Sequence, residues 1–560
     1  CLMCKNMIMR SLFIFILGLF YYSGYAQIFN FPDPNFKNAL VNTKCVDTDG
    51  DGIGDADADL NGDGEVDLSE ASAVKRLKVK VGYITNMLGI AKFINLTHLD
   101  CSYNKLSNLD VTDLEKLIVL KCDVNRLNTL KVDSLANLEE LNFSNNQLGE
   151  VDLKGLAKLE KLVCHVNQLN ALDVSSLLNL KHLLCGSNNI STLDVSGLFN
   201  LVDLDCAYNQ IADLEVTKLV NLKTLHCDSN QLTKLDVSSL INLETLNCGY
   251  NQLTFLDLSN LVNLKLLYCD NNQLDTLDIS RLVNLKSVYC YRNQLLSINV
   301  EGLINLDSLI CRDNDLSNLD VSRLVNLINL DCKNNKLASL CIQNLKELKT
   351  VDCGYNKLPT LDVKGLQKLQ FLDYGFNKIS YLDFSELLHI ESLNCSGNQI
   401  STLDLKGLVN LKSLSCGNNQ IMNLNISELL NLQSLGCGAN QIINLDVNHL
   451  LNLNFLNCEN NQITSLDLKG LMNLKNLMCG DNRITSLDLN RLVNLRSLMC
   501  QNNPLTTLYI KTGKSLVYIY LKNNVKLDYI CCNPEDIKKV RDQCISYGLN
   551  NCKINSNCLI

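Results

Sequence analysis

Ten acidic residues and no Lys or Arg lie between Cys45 and Glu70, and their spacing is that of cation ligands. In the twelve-residue run from Asp59 to Glu70, oxygen-bearing side chains occupy the first, third and fifth positions, Gly64 the sixth and a glutamate the twelfth. An EF-hand-type calcium loop needs this arrangement, because the glycine makes the sharp turn and the glutamate closes the ligand shell. The sequence therefore predicts a structural Ca²⁺ site with these ligands: Asp59, Asn61, Asp63, Glu65, Asp67 and Glu70.

A second acidic run precedes this loop. It supplies Asp47, Asp49, Asp51 and Asp55 at ligand spacing, but Ala58 stands at its twelfth position. It is therefore expected to be at best a weaker or shared site. For both runs the alternative is a solvated acidic loop, since short motifs also match by chance.

Cysteine recurs with a fixed period and suggests thiol chemistry. Of 27 cysteines, 18 occupy a slot that returns every 21 residues from Cys101 to Leu521, and Phe143, Tyr374 and Leu521 fill it elsewhere. These exceptions disfavour a metal array, and parallel side chains do not readily reach disulfide geometry. Buried free thiols are the favoured interpretation, although pairing stays open. Cys341 lies outside the slot and is predicted to be exposed.

The repeat itself predicts the fold. Asn follows the Cys slot by three residues in all 21 copies, from Asn104 to Asn524. Leu99 and Cys101 alternate with Asp100, which indicates a short strand with Leu and Cys inward. The Asn amide is expected to bond backbone groups of neighbouring coils, and Asp110 and its equivalents to cap a turn. We therefore predict a β-rich repeat solenoid with a parallel sheet on its concave face, short turns or 3-10 segments, and small helical caps at both ends.

Four regions follow along the chain. Residues 1–26 form a predicted secretory signal, residues 27–73 an N-terminal cap with the calcium loop, residues 74–530 about 21–22 coils, and residues 531–560 a Cys-rich C-terminal cap. Without the signal, no segment is expected to span a membrane. The net charge of −9 comes from the acidic runs, and no basic block indicates a nucleic-acid partner.

The unit Leu-x-x-Leu-x-Cys-x-x-Asn-x-Leu, read from Leu180 onwards, is a leucine-rich repeat. With the longer first coil Ile84–Ile90 and the calcium-type segment before it, the chain resembles bacterial secreted or surface leucine-rich-repeat proteins. The resemblance is to the 21-residue cysteine-ladder class typified by internalin J, and it covers roughly residues 30–530. It implies a secreted or cell-surface protein that binds a protein or glycan ligand through its repeat face.

Outward strand positions should carry such binding, and near the middle of the array they change from polar to aromatic. Clustered Tyr and Arg are typical of interface hot spots. The predicted ligand-binding residues are Tyr250, Leu266, Tyr268, Tyr289, Tyr291, Arg292, Ile310 and Arg312. A second group places Phe371 and Phe376 beside the acidic column Asp331, Asp352 and Asp373. Ordinary drift between repeats is the alternative for both groups.

Two other functions compete with non-enzymatic binding or adhesion. A structural spacer would display a further C-terminal module, and a polysaccharide-acting enzyme would use the repeat face for catalysis. None of the six histidines forms a metal or nucleophile motif, and a shallow sheet face rarely excludes water. The sequence therefore favours binding over catalysis.

Overall fold

The computed structural model describes residues 29–80 and 82–558, and the predicted signal lies outside them. Two compact units make up the chain, Cys1–Gln252 and Leu253–Ile560. In each unit the chain winds as a parallel β-solenoid with the predicted 21-residue period. No helix in the described part of the chain is both long and apolar enough to cross a membrane.

The first unit begins with the predicted helical cap. Its helices are Pro34–Asn42 and Leu68–Ala73, followed by the 3-10 turn Ile90–Lys92. One carboxylate oxygen of Asp33 accepts hydrogen bonds from the N–H groups of the first helical turn. The other accepts from the N–H and hydroxyl of Thr85, both at 2.7 Å, so this single side chain joins the cap to the first coil.

The main sheet of the first unit contains one three-residue strand per coil: Arg76–Lys78, His98–Asp100, Val119–Lys121, Glu140–Asn142, Lys161–Val163, His182–Leu184, Asp203–Asp205, Thr224–His226 and Thr245–Asn247. Neighbouring strands pair in parallel with equivalent residues in register, for example Leu204 with Leu225. Two further strands, Asn108–Asp110 and Thr129–Lys131, pair with each other. Most coils of this unit lack this second strand, and the chain on that side of the coil is largely irregular.

The second unit continues the same pattern. Its main-sheet strands are Leu266–Tyr268, Ser287–Tyr289, Ser308–Ile310, Asn329–Asp331, Thr350–Asp352, Phe371–Asp373, Ser392–Asn394, Ser413–Ser415, Ser434–Gly436, Phe455–Asn457, Asn476–Met478, Ser497–Met499 and Tyr518–Tyr520. A smaller parallel sheet contains Ser486–Asp488, Thr507–Ile510, Tyr529–Cys532 and Lys553–Asn555. The 3-10 turn Pro534–Asp536 and the helix Ile537–Ser546 form the predicted C-terminal cap.

The cysteine ladder belongs to the core. All 18 periodic cysteines are buried free thiols, and Cys341 is exposed, as predicted. Burial raises the pKa of ladder thiols such as Cys416 and Cys437, that of Cys437 to about 12. The one disulfide among the described residues joins Cys531 to Cys558 in the Cys-rich C-terminal cap.

The asparagine ladder holds the coils together. Asn230 shows the pattern, because its Nδ2 donates to the carbonyls of Cys206 and Cys227 at 3.0 and 3.2 Å. Its Oδ1 accepts from the N–H of Ile211 at 2.9 Å. One side chain thus satisfies three buried backbone groups across two coils, which confirms the predicted role.

Each coil also contains a left-handed residue that the sequence did not reveal. The residue before the Asn slot has positive φ even where it is bulky, as at Val166 (55°), Tyr208 (53°) and Phe376 (55°). This conformation lets the N–H of Tyr208 reach the carbonyl of Asp228 on the next coil at 2.9 Å. The ladder of backbone bonds therefore outweighs the local preference against positive φ.

The column of acidic residues that contains Asp110 and Asp173 caps turns, as expected. Asp173 accepts hydrogen bonds from the N–H and hydroxyl of Ser175 at 3.1 and 2.6 Å. These bonds lower the pKa of the Asp173 carboxyl. Asn299 makes the equivalent bond to the N–H of Glu301 at 3.0 Å without a charge. The column is therefore explained by turn geometry alone.

Candidate functional site

The calcium-type loop, Asp59–Glu70, folds around its first residue. The two carboxylate oxygens of Asp59 accept hydrogen bonds from the N–H groups of Gly62, Asp63 and Gly64 at 2.8, 3.1 and 2.8 Å. Gly64 has a φ of 81°, which a side chain would disfavour at this turn. The first position of the loop therefore has the inward carboxylate and the tight turn that the motif requires.

Glu70 closes the loop. It is 5% exposed, and its two carboxylate oxygens accept hydrogen bonds from the N–H groups of Asn61 and Asp67 at 3.1 and 2.8 Å. Asp67 in turn caps the helix by accepting from the N–H of Glu70 at 2.9 Å. Glu65 forms an ion pair with Lys37 of the first helix at 2.5 Å. The loop supplies the hard oxygen donors that Ca²⁺ prefers, but within this fully described loop no three Asp and Glu side chains bring their ligand atoms within 4.8 Å of one another.

The first acidic run brings its carboxylates closer together than the sequence suggested. Asp47, Asp49 and Asp51 are the one set of His, Cys, Asp or Glu residues in the described part of the chain whose ligand atoms all lie within 4.8 Å of one another. Asp55, the fourth predicted ligand, instead accepts from the Thr48 hydroxyl at 2.7 Å. Three of the four predicted residues therefore converge.

This first loop also contacts the beginning of the main sheet. Lys78 Nζ donates to the carbonyl of Gly52 at 2.8 Å, and Val46 forms an antiparallel bridge with Leu77. A cavity of about 260 Å³ lies between loop and sheet, and it contains both signs of charge: Asp47, Arg76, Lys78, His98, Asp100 and Lys121 line it among others. The cap is thus built onto the first strands through polar contacts.

The aromatic residues predicted as a ligand site form a cluster in the second unit. Tyr268 and Tyr289 occupy equivalent positions of paired strands, and their rings stack with centroids 4.6 Å apart at an angle of 12°. Both rings are part-exposed on the sheet face. Burial and the neighbouring Tyr289 raise the pKa of Tyr268. Leu266 and Ile310 are also part-exposed and flank the pair.

Arg312 lies over the ring of Tyr291 and close to two carboxylates. Its guanidinium carbon lies 4.9 Å from the ring centroid of Tyr291, which is a cation–π distance. Its Nη1 lies 3.5 Å from Asp331 Oδ2, and the Nε atoms of Arg312 and Arg292 each lie 3.8 Å from Asp313 Oδ2. We call Tyr268, Tyr289, Tyr291 and Arg312 the aromatic cluster.

One predicted member lies outside this unit. Tyr250 is 51% exposed and belongs to the first unit, near its end. The other predicted residues, Leu266 to Arg312, all belong to the second unit.

A carboxylate ladder follows the aromatic cluster along the same sheet. Asp331, Asp352 and Asp373 are in register on three consecutive parallel strands. Burial, followed by repulsion from Asp352, raises the pKa of Asp331 to about 6. Burial and repulsion from Asp373 also raise the pKa of Asp352. The sequence placed these residues in one column but did not show how strongly they are desolvated.

A second pair of stacked aromatic rings lies beside the carboxylate ladder, and the sequence analysis predicted one of its two members. Tyr355 and Phe376 stack with centroids 4.4 Å apart at 15°, although the sequence analysis singled out only Phe376. Phe371, also predicted, lies at the other end of its strand and is 36% exposed. The sequence does contain a signal for Tyr355, because Tyr355 and Phe376 both stand two residues after the Cys slot. The backbone is left-handed at both residues.

A histidine–carboxylate pair lies on the sheet of the first unit. His182 Nδ1 is 2.6 Å from Asp203 Oδ2 on the adjacent strand. Both side chains are at least a third exposed, at 40% and 34%. The pair therefore forms a surface contact between neighbouring coils rather than a water-excluded site.

Comparison with known proteins agrees with the fold. No family model matches the sequence, and no curated protein matches it. Among solved structures, the chain is similar to the functional domain of InlJ from Listeria monocytogenes, which includes a cysteine ladder (26% identity, 78% of this chain and 82% of that one, TM-score 0.47). The fold is that of a leucine-rich-repeat solenoid. The parallel solenoid and its column of buried cysteines confirm the predicted leucine-rich-repeat architecture.

Two further structures extend the comparison. YopM from Yersinia enterocolitica is 22% identical over 82% of this chain and 92% of that one, with a TM-score of 0.54. The Arabidopsis receptor kinase HAESA, solved in complex with the peptide hormone IDA and the co-receptor SERK1, is 19% identical over 85% and 86%, with a TM-score of 0.63. At these identities the similarity describes the fold of the repeat array.

Proposed function

We propose that this chain is a secreted or cell-surface binding protein that recognises a protein ligand on the exposed face of its main sheet. The aromatic cluster is the proposed centre of recognition. It combines two stacked tyrosine rings on outward strand positions with an arginine held over a third ring just after the strands. Such side chains contribute large contact areas and polar tips at interfaces.

The surroundings of the cluster support binding rather than catalysis. The rings lie on the sheet surface next to Ile310, and the carboxylates of Asp313 and Asp331 are engaged with Arg312. HAESA is solved with a peptide hormone, so the fold is compatible with a protein ligand. A glycan ligand would also stack on tyrosine rings, and it is the second candidate.

A peptide-display library tests the proposal. The full chain and a triple variant, with Tyr268, Tyr289 and Arg312 replaced by Ala, are each panned against the same random library. We expect sequences enriched on the full chain to lose at least tenfold in affinity for the triple variant. Tyr381→Ala is the matched control, because Tyr381 is 63% exposed but lies off the main strands.

The outcomes separate the candidates. Enriched peptides that bind the triple variant equally well would place recognition elsewhere. Failure to enrich any peptide, together with glycan-array binding that the triple variant loses, would replace the protein ligand by a glycan. Secretion is tested by the N-terminus of the exported protein, which should be Gln27 after removal of the predicted signal.

The proposal includes structural Ca²⁺ in the N-terminal cap. The loop Asp59–Glu70 offers the full ligand pattern, and the carboxylates Asp47, Asp49 and Asp51 converge in front of the first strand. A cation bound at either place would neutralise repulsion and stabilise the cap against unfolding.

A further inference from the structure

The sheet face of the second unit changes character over six consecutive strands. At the third position of each strand, side chains in register run from aromatic through aliphatic to acidic: Tyr268, Tyr289, Ile310, Asp331, Asp352 and Asp373. We call this column the recognition face. Its apolar half and its anionic half are contiguous, so one ligand can contact both.

The carboxylates of the ladder each have one oxygen fixed by the backbone. Oδ1 of Asp331, Asp352 and Asp373 accepts from the N–H of Lys333, Gly354 and Gly375 at 3.2, 3.1 and 2.9 Å, respectively. The second oxygen, Oδ2, is the one that meets side chains. The ladder is therefore a preorganised row of acceptors, because its rotamers are held by the main chain.

The cations nearby are fewer than the carboxylates. Lys333 Nζ lies 3.2 Å from Asp352 Oδ2 and 3.9 Å from Asp373 Oδ2. Arg312 lies 3.5 Å from Asp331 Oδ2, but it is shared with Asp313. The three carboxylates of the ladder and Asp313 thus face Lys333 and Arg312, with Arg292 near Asp313 as well. A positive group brought by a ligand would interact favourably with this desolvated row.

The space beside the ladder suits a long side chain. Gly354 and Gly375 follow the Cys slot there and are buried, so neither position carries a side chain of its own. The side chain of Lys333 on the preceding coil reaches this space, with Nζ near Asp352 and Asp373 and 5.7 Å from the ring centroid of Tyr355, which shows that a basic side chain fits there. A Cβ at Gly375 would come within 3.2 Å of Asp373 Oδ1, and one at Gly354 within 3.1 Å of the same atom. Across this space stand the stacked rings of Tyr355 and Phe376, 48% and 40% exposed. Aromatic rings next to carboxylates attract both the alkyl stem and the charged head of a basic side chain.

We propose that the recognition face binds an extended peptide segment whose Lys or Arg side chain lies along the carboxylate ladder while an aromatic or aliphatic residue packs on Tyr268, Tyr289 and Ile310. The inference rests on the proposed function and specifies the chemistry of its partner. Tyr289 and Asp352 are three strands apart, which is roughly 14 Å at ~4.8 Å per strand. An extended chain covers that distance in about four residues at ~3.4 Å each. The basic and apolar residues should therefore be about four positions apart.

The shape of the ladder favours a side chain over a metal ion. Its carboxylates are spread along three strands and do not converge within 4.8 Å, a condition met within the described residues only by Asp47, Asp49 and Asp51. A divalent cation needs its ligands around one point. A guanidinium or ammonium with its stem can instead contact successive carboxylates.

The test uses the same random peptide library on the full chain and on Asp352→Asn with Asp373→Asn. Peptides enriched on the full chain should contain Lys or Arg about four positions from an aromatic or aliphatic residue. Their affinity should fall about tenfold for the double variant and also with rising salt, since the contact is between charges. Asp275→Asn removes one negative charge from an exposed position off the main strands and is the matched control.

A charge-reversed variant, Asp352→Lys, provides a gain of function. It should enrich peptides with Asp or Glu in place of the basic residue while the apolar preference is retained. Circular dichroism of each variant establishes that the fold is intact. Calcium and EDTA arms of the same titration should give equal affinities; binding that needs Ca²⁺ at the ladder would overturn the inference.

Failure of this inference is distinguishable from failure of the proposed function. If peptides are enriched and lost in the Tyr268, Tyr289 and Arg312 triple variant but carry no basic residue, the function stands and the ladder has no part in it. If the full chain enriches no peptide, the proposed function itself fails. If enriched peptides bind the Asp352 and Asp373 double variant with unchanged affinity, the ladder is not part of the binding site.

Discussion

Lys333 Nζ lies 3.2 Å from Asp352 Oδ2, close enough for a charge-assisted hydrogen bond between neighbouring coils. Burial alone would lower the pKa of Lys333, but Asp352 and Asp373 raise it above its ordinary value. Asp331, on the preceding strand, depends on the longer contact to Arg312 at 3.5 Å. The three carboxylates of the ladder are therefore unequally compensated, and Asp331 is the one on which a substitution should be most informative.

Replacing Asp331 by Asn should stabilise the protein near neutral pH. Burial and Asp352 raise the folded-state pKa of Asp331 to about 6, above the ordinary 3.8. The folded state thus binds the proton more tightly, and the free energy of unfolding falls as pH rises from about 4 to about 6. At pH 7.5 the variant should be more stable by about 3 kcal/mol, since the pKa difference is about two units at ~1.4 kcal/mol each. Below pH 4 the two proteins should unfold alike.

Thermal unfolding of both proteins between pH 4 and pH 8 measures this difference. Asp275→Asn, which removes an exposed charge, should follow the unmodified chain at every pH. An Asp331→Asn variant no more stable than the unmodified chain at pH 7.5 would mean that Arg312 compensates this carboxylate fully.

Removing a ladder asparagine should reduce the free energy of unfolding more in the middle of the repeat array than at its end. Asn230 satisfies two carbonyls and one N–H, whereas Asn524 donates to Cys500 and Leu521 but leaves its buried Oδ1 without a partner. Asn230→Ala should therefore cost about 3 kcal/mol and Asn524→Ala about 1 kcal/mol. Hydrogen exchange of the adjoining coils reports each loss locally. Equal protection losses at both sites would contradict this ranking.

The ladder thiols should be inert in the folded protein. Burial raises their pKa, in the case of Cys290 and Cys500 to about 12, and the thiolate is the reactive form. Cys341 is exposed, so iodoacetamide at pH 8 should modify it and leave the periodic cysteines unmodified until denaturant is added. Peptide mapping by mass spectrometry measures the sites. If iodoacetamide modifies Cys227 as fast as Cys341, the core opens readily. The Cys341→Ser variant is the control, because it lacks the exposed thiol.

The fold follows from the sequence because the same chemistry is repeated in every coil. Leu99, Cys101 and Asn104 each have one role, and the period gives the register of the strands without further information. The candidate site is less accessible from the sequence. The stacking of Tyr268 on Tyr289 follows from their spacing, but the position of Arg312 over Tyr291 depends on rotamers that no local pattern encodes.

The acidic loops show a different limit. Motif matching favours Asp59–Glu70, because the twelfth position of the first run is Ala58. The structure buries Ala58 completely and nevertheless brings Asp47, Asp49 and Asp51 together. Convergence of ligands depends on the turns at Gly50 and Gly52, whose N–H groups both bind the Asp47 carboxylate. A ligand count along the sequence does not capture this turn geometry.

Calcium should stabilise the N-terminal cap, and two substitutions should distinguish the loops. Adding millimolar Ca²⁺ should raise the Tm of the full chain, because a cation bound only to the folded state adds to the free energy of unfolding, by about 2.7 kcal/mol at a hundred times the Kd. Glu70→Gln removes the charge at the closing position and should abolish most of the rise. Asp49→Asn removes one of the three convergent carboxylates and should reduce the rise only in part.

Differential scanning calorimetry with Ca²⁺, with EDTA and with Mg²⁺ separates these effects. Mg²⁺ prefers a smaller octahedral site and should stabilise the cap less than Ca²⁺ does. If Ca²⁺ no longer raises the Tm of Asp49→Asn but still raises that of Glu70→Gln, the cation binds in the first loop. If Ca²⁺ leaves the Tm of the unmodified chain unchanged, both loops are held by their own backbone bonds: Asp59 by Gly62, Asp63 and Gly64, and Asp47 by Gly50 and Gly52.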